Sequence, residues 1–124
     1  MPSGEVLPSR LSPAQRAAVE EAIRKAELAS RAEFSVYVGP VDGDDARSYA
    51  TQLHNTLVAP ARSIMIVVDP ARRLLEIVTG GWVRRGLSDA EAALAAETMR
   101  SSFAQGDLVG GLRAGVHQLA AHIN

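Results

Sequence analysis

The chain has 124 residues, with 13 Lys and Arg against 14 Asp and Glu, no cysteine, and a formal net charge of -1. That length suits a single core, and folding should remove roughly 65 to 70% of the unfolded chain's surface from water. The near-neutral balance lacks the basic footprint of nucleic-acid binding. The missing cysteines exclude disulfide frameworks, thiolate zinc sites and cysteine nucleophiles.

Residues 1–10 carry Pro2, Gly4 and Pro8 and neither a basic n-region nor an apolar run. They read as a flexible lead-in without a signal peptide, ahead of one domain over residues 11–124. The longest apolar run, Ile64–Val68, is far short of the roughly 20 residues of a spanning helix,. A cytoplasmic chain is the expectation, with room for peripheral association with a membrane; an anchor would have to lie outside these 124 residues.

Ser12-Pro13-Ala14-Gln15 has the hydroxyl, proline and glutamine of a capping box, so a helix is predicted from there to about Ser30,. Ala18, Val19, Ala22, Ile23 and Ala26 form its apolar stripe; Glu20 with Arg24 and Glu21 with Lys25 form i,i+4 pairs opposite. Phe34, Val36 and Val38 then alternate with Ser35 and Tyr37 up to Gly39-Pro40, the period of a strand. A second helix is predicted from about Asp44 to Leu57, with Asp44 and Asp45 at the positive end of its dipole. Ile64–Val68 shows no polar alternation, so both faces of this strand should be covered. Strand, helix and strand in that order imply a right-handed crossover and a parallel pair.

Asp69-Pro70-Ala71-Arg72-Arg73 is too short for another crossover, so Leu74–Thr79 must return antiparallel,. Gly80-Gly81 ends that strand and reads as structural. Trp82–Gly86 forms a short link with room for one helical turn. Ser88-Asp89-Ala90-Glu91 repeats the capping box and opens a third helix carrying Ala92, Leu94, Ala95, Met99 and Phe103. The last helix starts near Leu108 and presents Leu112, Val116, Leu119, Ala120 and Ile123. The sum is an α/β domain in α-β-α-β-β-α-α order, a small mixed sheet of three or four strands between helices.

The ligand crevice of an open α/β sheet lies beyond the carboxyl ends of its parallel strands. Here those ends run into Asp42, Asp44 and Asp45 and into Asp69. Carboxylates at this density suit a hard cation, Ca2+ or Mg2+, as a candidate cofactor. The competing reading makes Asp42-Gly43 a turn, Asp44 and Asp45 a helix start, and Asp69-Pro70 a hairpin corner, with Arg72 and Arg73 neutralising the acids. Trp82, flanked by Arg84 and Arg85, is the candidate partner-binding surface, against a ring that closes the end of the core. His54, His117 and His122 lack metal-ligand spacing and read as surface residues, and no nucleophile triad or phosphate-binding glycine loop occurs.

Two further strings, Glu76-Ile77-Val78-Thr79-Gly80-Gly81 ahead of Gly86-Leu87-Ser88-Asp89, and Phe103-Ala104-Gln105-Gly106-Asp107 ahead of Gly110-Gly111-Leu112, resemble the TPM domain family over nearly the whole chain. The likeness is to a small actinobacterial branch without assigned function. The family's glycine pair ahead of the central strand is replaced by Val58-Ala59-Pro60-Ala61-Arg62, and its signal peptide and membrane tail have no counterpart. The resemblance implies a TPM-like fold and an accessory role beside a protein partner in a membrane or stress-related complex. Its alternative is a weak divalent-metal-dependent phosphatase, or a Ca2+/Mg2+-binding domain, at the acidic edge. Non-catalytic protein interaction is the preferred reading.

Overall fold

The computed structural model describes residues 11–123; the lead-in expected over 1–10 lies outside the described residues. Three strands form one sheet in the order β1-β2-β3. At its centre is β2, Ser63–Asp69, every residue of which is buried. β1, Glu33–Val38, runs parallel to it with Phe34 opposite Ile64 and Val38 opposite Val68. β3, Leu74–Thr79, runs antiparallel with Leu74 opposite Asp69 and Thr79 opposite Ile64.

Period-two alternation divides the apolar residues between two faces. Phe34, Val36, Val38, Ile64, Ile66 and Val68 form the larger core with α1 (Pro13–Ser30), α3 (Asp89–Ala104) and α4 (Leu108–Ile123). Met65, Val67 and Val78 face the other way and are covered by α2 (Ala46–Asn55) through Ala50, Tyr49 and Leu53. The lack of polar alternation in β2 is thus the mark of a strand covered on both sides.

Both expected capping boxes form. Ser12 Oγ accepts from the Gln15 N–H at 3.2 Å and Gln15 Oε1 from the Ser12 N–H at 3.0 Å. Ser88 and Glu91 repeat this at 3.1 and 2.9 Å. The expected Lys25–Glu21 pair closes at 3.2 Å between exposed side chains. α4 packs between α1 and α3, and closeness to α3 depends on Gly115, where a β-carbon would lie 2.5 Å from the Met99 side chain. Among the described residues, no helix is long and apolar enough to cross a membrane.

Three local expectations need correction. α2 is shorter than 44–57, because Asp45 has extended backbone and is itself the N-cap, which leaves Asp44 outside the helix. Leu94 does not join the apolar stripe of α3 and is 58% exposed; Ala95, Ala96 and Met99 make the buried face. His54 is not a surface residue: the end of α2 packs on the start of β2, and its Nε2 donates to the Ser63 carbonyl at 3.0 Å.

The glycine pair after β3 supplies a contrast. A β-carbon on Gly80 would lie 2.1 Å from the Pro60 carbonyl oxygen, whereas one on Gly81 meets nothing nearer than Arg84 Nη2 at 4.0 Å. Backbone cannot swing aside as a side-chain tip can. In urea denaturation, Gly80→Ala is expected to lose about 1–3 kcal/mol or more by overpacking. Gly81→Ala should stay within about 0.5 kcal/mol of the parent. Equal losses at both positions would refute the packing account.

Candidate functional site

The acidic edge follows from strand direction. Because β1 and β2 are parallel, the segments leaving them lie side by side, and the Gly39 N–H continues the ladder to the Val68 carbonyl at 2.9 Å. The next step is made by a side chain. Asp69 is buried, and its Oδ2 accepts from the Val41 N–H at 3.0 Å while Oδ1 accepts from the Arg72 N–H at 3.3 Å. Arg72 answers by donating through Nη1 to the carbonyls of Val41 at 2.7 Å and Gly43 at 3.0 Å. Asp69 and Arg72 therefore clasp the loop after β1 onto the hairpin.

The remaining acids sit on the outer side of that loop. Asp45 Oδ1 accepts from the Ser48 N–H at 3.0 Å and caps α2. Asp42, Asp44 and Asp45 line an open depression of about 360 Å3 with Ser48, Tyr49 and Gln52; Asp69 does not border it. Among the described residues, no group of three or more His, Asp or Glu side chains is arranged to hold a metal ion. What the structure brings together is thus Asp42, Asp44 and Asp45, with Asp69 spent on backbone N–H groups behind them.

Tyr49 closes the inner wall of this depression, its ring centroid 6.1 Å from that of Tyr37. Tyr37 donates its hydroxyl to the Pro40 carbonyl at 2.7 Å. The Tyr49 hydroxyl is pushed up to about 12, first by burial and then by its interaction with the Tyr37 side chain, with the Asp42 charge adding to both.

Trp82 lies at the other end of the sheet, where β2 begins and β3 ends. It is half-buried, its backbone N–H donates to the Ala61 carbonyl at 2.9 Å, and the Arg62 guanidinium stacks over the ring 4.0 Å from the centroid. Arg62 also donates to the Arg31 carbonyl at 3.0 Å, tying Trp82 to the end of α1. Arg84 and Arg85 are exposed on the 3-10 turn Val83–Arg85, and Arg84 Nη1 donates to the Thr79 carbonyl. The Arg62 stack escaped sequence reasoning: twenty residues separate it from Trp82, and no local spacing signals such a pair. His122 Nδ1 meets Glu91 Oε2 at 2.9 Å, and His117 is exposed, so the histidines are dispersed.

These features define a mixed α/β domain with a three-stranded sheet and four α-helices, and solved structures share that fold. Residues 4–120 match the family described as Domain of unknown function (DUF5130), and the chain belongs to it. Uncharacterized protein Rv2468c of Mycobacterium tuberculosis is 28% identical over 106 residues, 86% of this chain and 63% of the relative. The chain therefore spans 63% of the length of that curated relative. The BA42 protein of Bizionia argentinensis superposes with a TM-score of 0.83 at 19% identity, covering 94% of this chain and 83% of that one. The N-terminal domain of the cg2496 protein of Corynebacterium glutamicum gives 0.77 at 16% identity, covering 98% and 80%. At these identities the structural likeness concerns the fold.

Asp69→Asn places an amide NH2 where a backbone N–H needs an acceptor, so guanidinium denaturation should show a loss of about 1–3 kcal/mol. Asp44→Asn, outside both clasp and cap, should change stability by less than about 0.5 kcal/mol. For Tyr49 the raised folded-state value favours the neutral phenol, so the contribution is complete below the ordinary tyrosine value near 10 and lost as pH rises through about 12,. Stability measured across that window should fall less steeply in Tyr49→Phe than in the parent.

Proposed function

We propose that the chain is a non-catalytic, TPM-like accessory domain that engages a protein partner through the surface around Trp82, Arg84 and Arg85. The observation that carries this reading is the preorganised tryptophan: half-buried, stacked under Arg62 at 4.0 Å, and flanked by two exposed arginines. Tryptophan and arginine dominate interface hot spots, and an aromatic already held in place loses little conformational freedom on binding. Arg84 and Arg85 favour a partner with an acidic surface. The sequence strings Glu76–Gly81 with Gly86–Asp89, and Phe103–Asp107 with Gly110–Leu112, support the TPM-like character.

A second reading, divalent cation binding with weak phosphohydrolase activity, rests on Asp42, Asp44 and Asp45 lining one depression. Bound metal would polarise a phosphoryl oxygen and activate water. It is the weaker reading, because Asp45 is engaged as a cap and Asp69 as a clasp. Among the described residues, the Asp42 and Asp44 side chains are the carboxylates of the set that make no hydrogen bond or ion pair.

One set of variants separates the readings. Native lysate passed over immobilised parent should yield a discrete partner whose retention drops about tenfold or more for Arg85→Glu and for Trp82→Ala, the size expected of hot-spot loss. Arg85→Glu removes no core contact and guards against misfolding as the cause. Retention unchanged in both variants would overturn the interaction reading. The melting temperature of the parent should stay constant under Ca2+, Mg2+ or Mn2+; a saturating rise abolished by Asp42→Asn with Asp44→Asn would establish the cation site instead.

A further inference from the structure

The turn between β2 and β3 borders a second hollow that none of the groups above uses. It opens between that hairpin, the end of α3 and the start of α4, with a volume of about 570 Å3. Leu74, Leu75, Phe103 and Leu108 provide apolar wall, and Arg73 and Arg100 provide charge. A volume in the range of roughly 300–1,000 Å3, mostly apolar lining and a few placed polar groups are the usual attributes of a small-ligand site.

Among the described residues, neither arginine at this hollow is paired with a carboxylate of its lining. Asp69 borders it, but both its oxygens already accept backbone N–H groups. Arg100 makes one long, exposed contact with Glu97 at 3.4 Å. The Arg73 side chain makes no hydrogen bond or ion pair among the described residues.

Arg73 also has left-handed backbone, with φ of 55°. That conformation crowds a β-carbon against the carbonyl and is commonly given to glycine or asparagine in hairpin turns. An arginine held there keeps a guanidinium at the rim of the hollow despite the local strain. Strain of this kind concentrates where a side chain has a task.

We propose that this hollow binds a small amphiphilic carboxylate, an acyl chain lying against Phe103, Leu75 and Leu108 with its head group between Arg73 and Arg100. The apolar walls remove the chain from water, and the planar guanidinium fork matches the two oxygens of a carboxylate. Charge selects the head and the hollow selects the body, so neither half of the ligand suffices alone. The site is separate from the Trp82 surface, and each stands or falls without the other.

Two-dimensional amide NMR of the full chain, titrated with octanoate, octanol and acetate, tests this. Octanoate should shift the amides of Arg73, Leu74, Phe103 and Leu108 saturably, with octanol and acetate at least about tenfold weaker. Arg100→Gln should weaken octanoate by about tenfold. Arg73→Gly relieves the left-handed strain, so it should raise the melting temperature while also weakening octanoate by about tenfold, a pairing that structural damage cannot produce. Octanol binding as well as octanoate, shifts confined to other surfaces, or variants that bind like the parent would each overturn the proposal.

Discussion

The burial of β2 on both faces is the constraint from which the rest of this molecule follows. A strand with no exposed residue leaves two apolar surfaces to cover, and a chain of this length has few helices with which to do it. α1, α3 and α4 cover Phe34, Ile64 and their neighbours, while α2 alone covers Met65 and Val67. The crossover carrying α2 makes β1 parallel to β2, and the short hairpin makes β3 antiparallel. Strand direction then decides which loops meet, so the acidic edge and the Trp82 surface fall at opposite ends of the sheet.

Arginine holds those ends together. Arg72 donates to the carbonyls of Val41 and Gly43, Arg62 to that of Arg31, Arg84 to that of Thr79, and Arg47 to that of Ile77 at 2.6 Å. Each joins segments whose backbone carbonyls would otherwise face outward without a ladder partner. The basic residues of a nearly neutral chain are thus partly committed to its own backbone. Among the described residues, the Arg73 and Arg85 side chains make no such tie, which leaves their guanidinium groups available to a ligand head group and a partner surface.

The architecture was legible because periodicity reports burial directly. Alternation in β1, its absence in β2, and two capping boxes place the strands and helices correctly. Side-chain assignments at the acidic edge were less legible, because one residue type serves a turn, a cap, a clasp or a ligand set with equal chemistry. Alternation could have separated Asp69 from the rest: it shares the parity of Met65 and Val67, and so turns inward toward the α2 side. No comparable signal marks Asp45 rather than Asp44 as the cap, or His54 as buried, since both depend on where α2 meets β2. The Arg62–Trp82 stack joins residues on different elements, beyond any local pattern.

The edges of the sheet bear on how a partner could be recognised. An exposed edge strand offers unpaired N–H and C=O groups to an added strand, and proteins that avoid this block them with side chains. On β1 the Phe34 N–H is taken by Glu27 Oε2 at 3.0 Å, and on β3 the Ile77 carbonyl is taken by Arg47. Glu27 holds its position although burial raises its carboxyl above the ordinary value, with the Phe34 N–H pulling the other way. A segment adding to either strand would have to break a charge-assisted bond before making its own. Side-chain surfaces at the ends of the sheet face no such competition, and the tryptophan end already has its aromatic fixed in place.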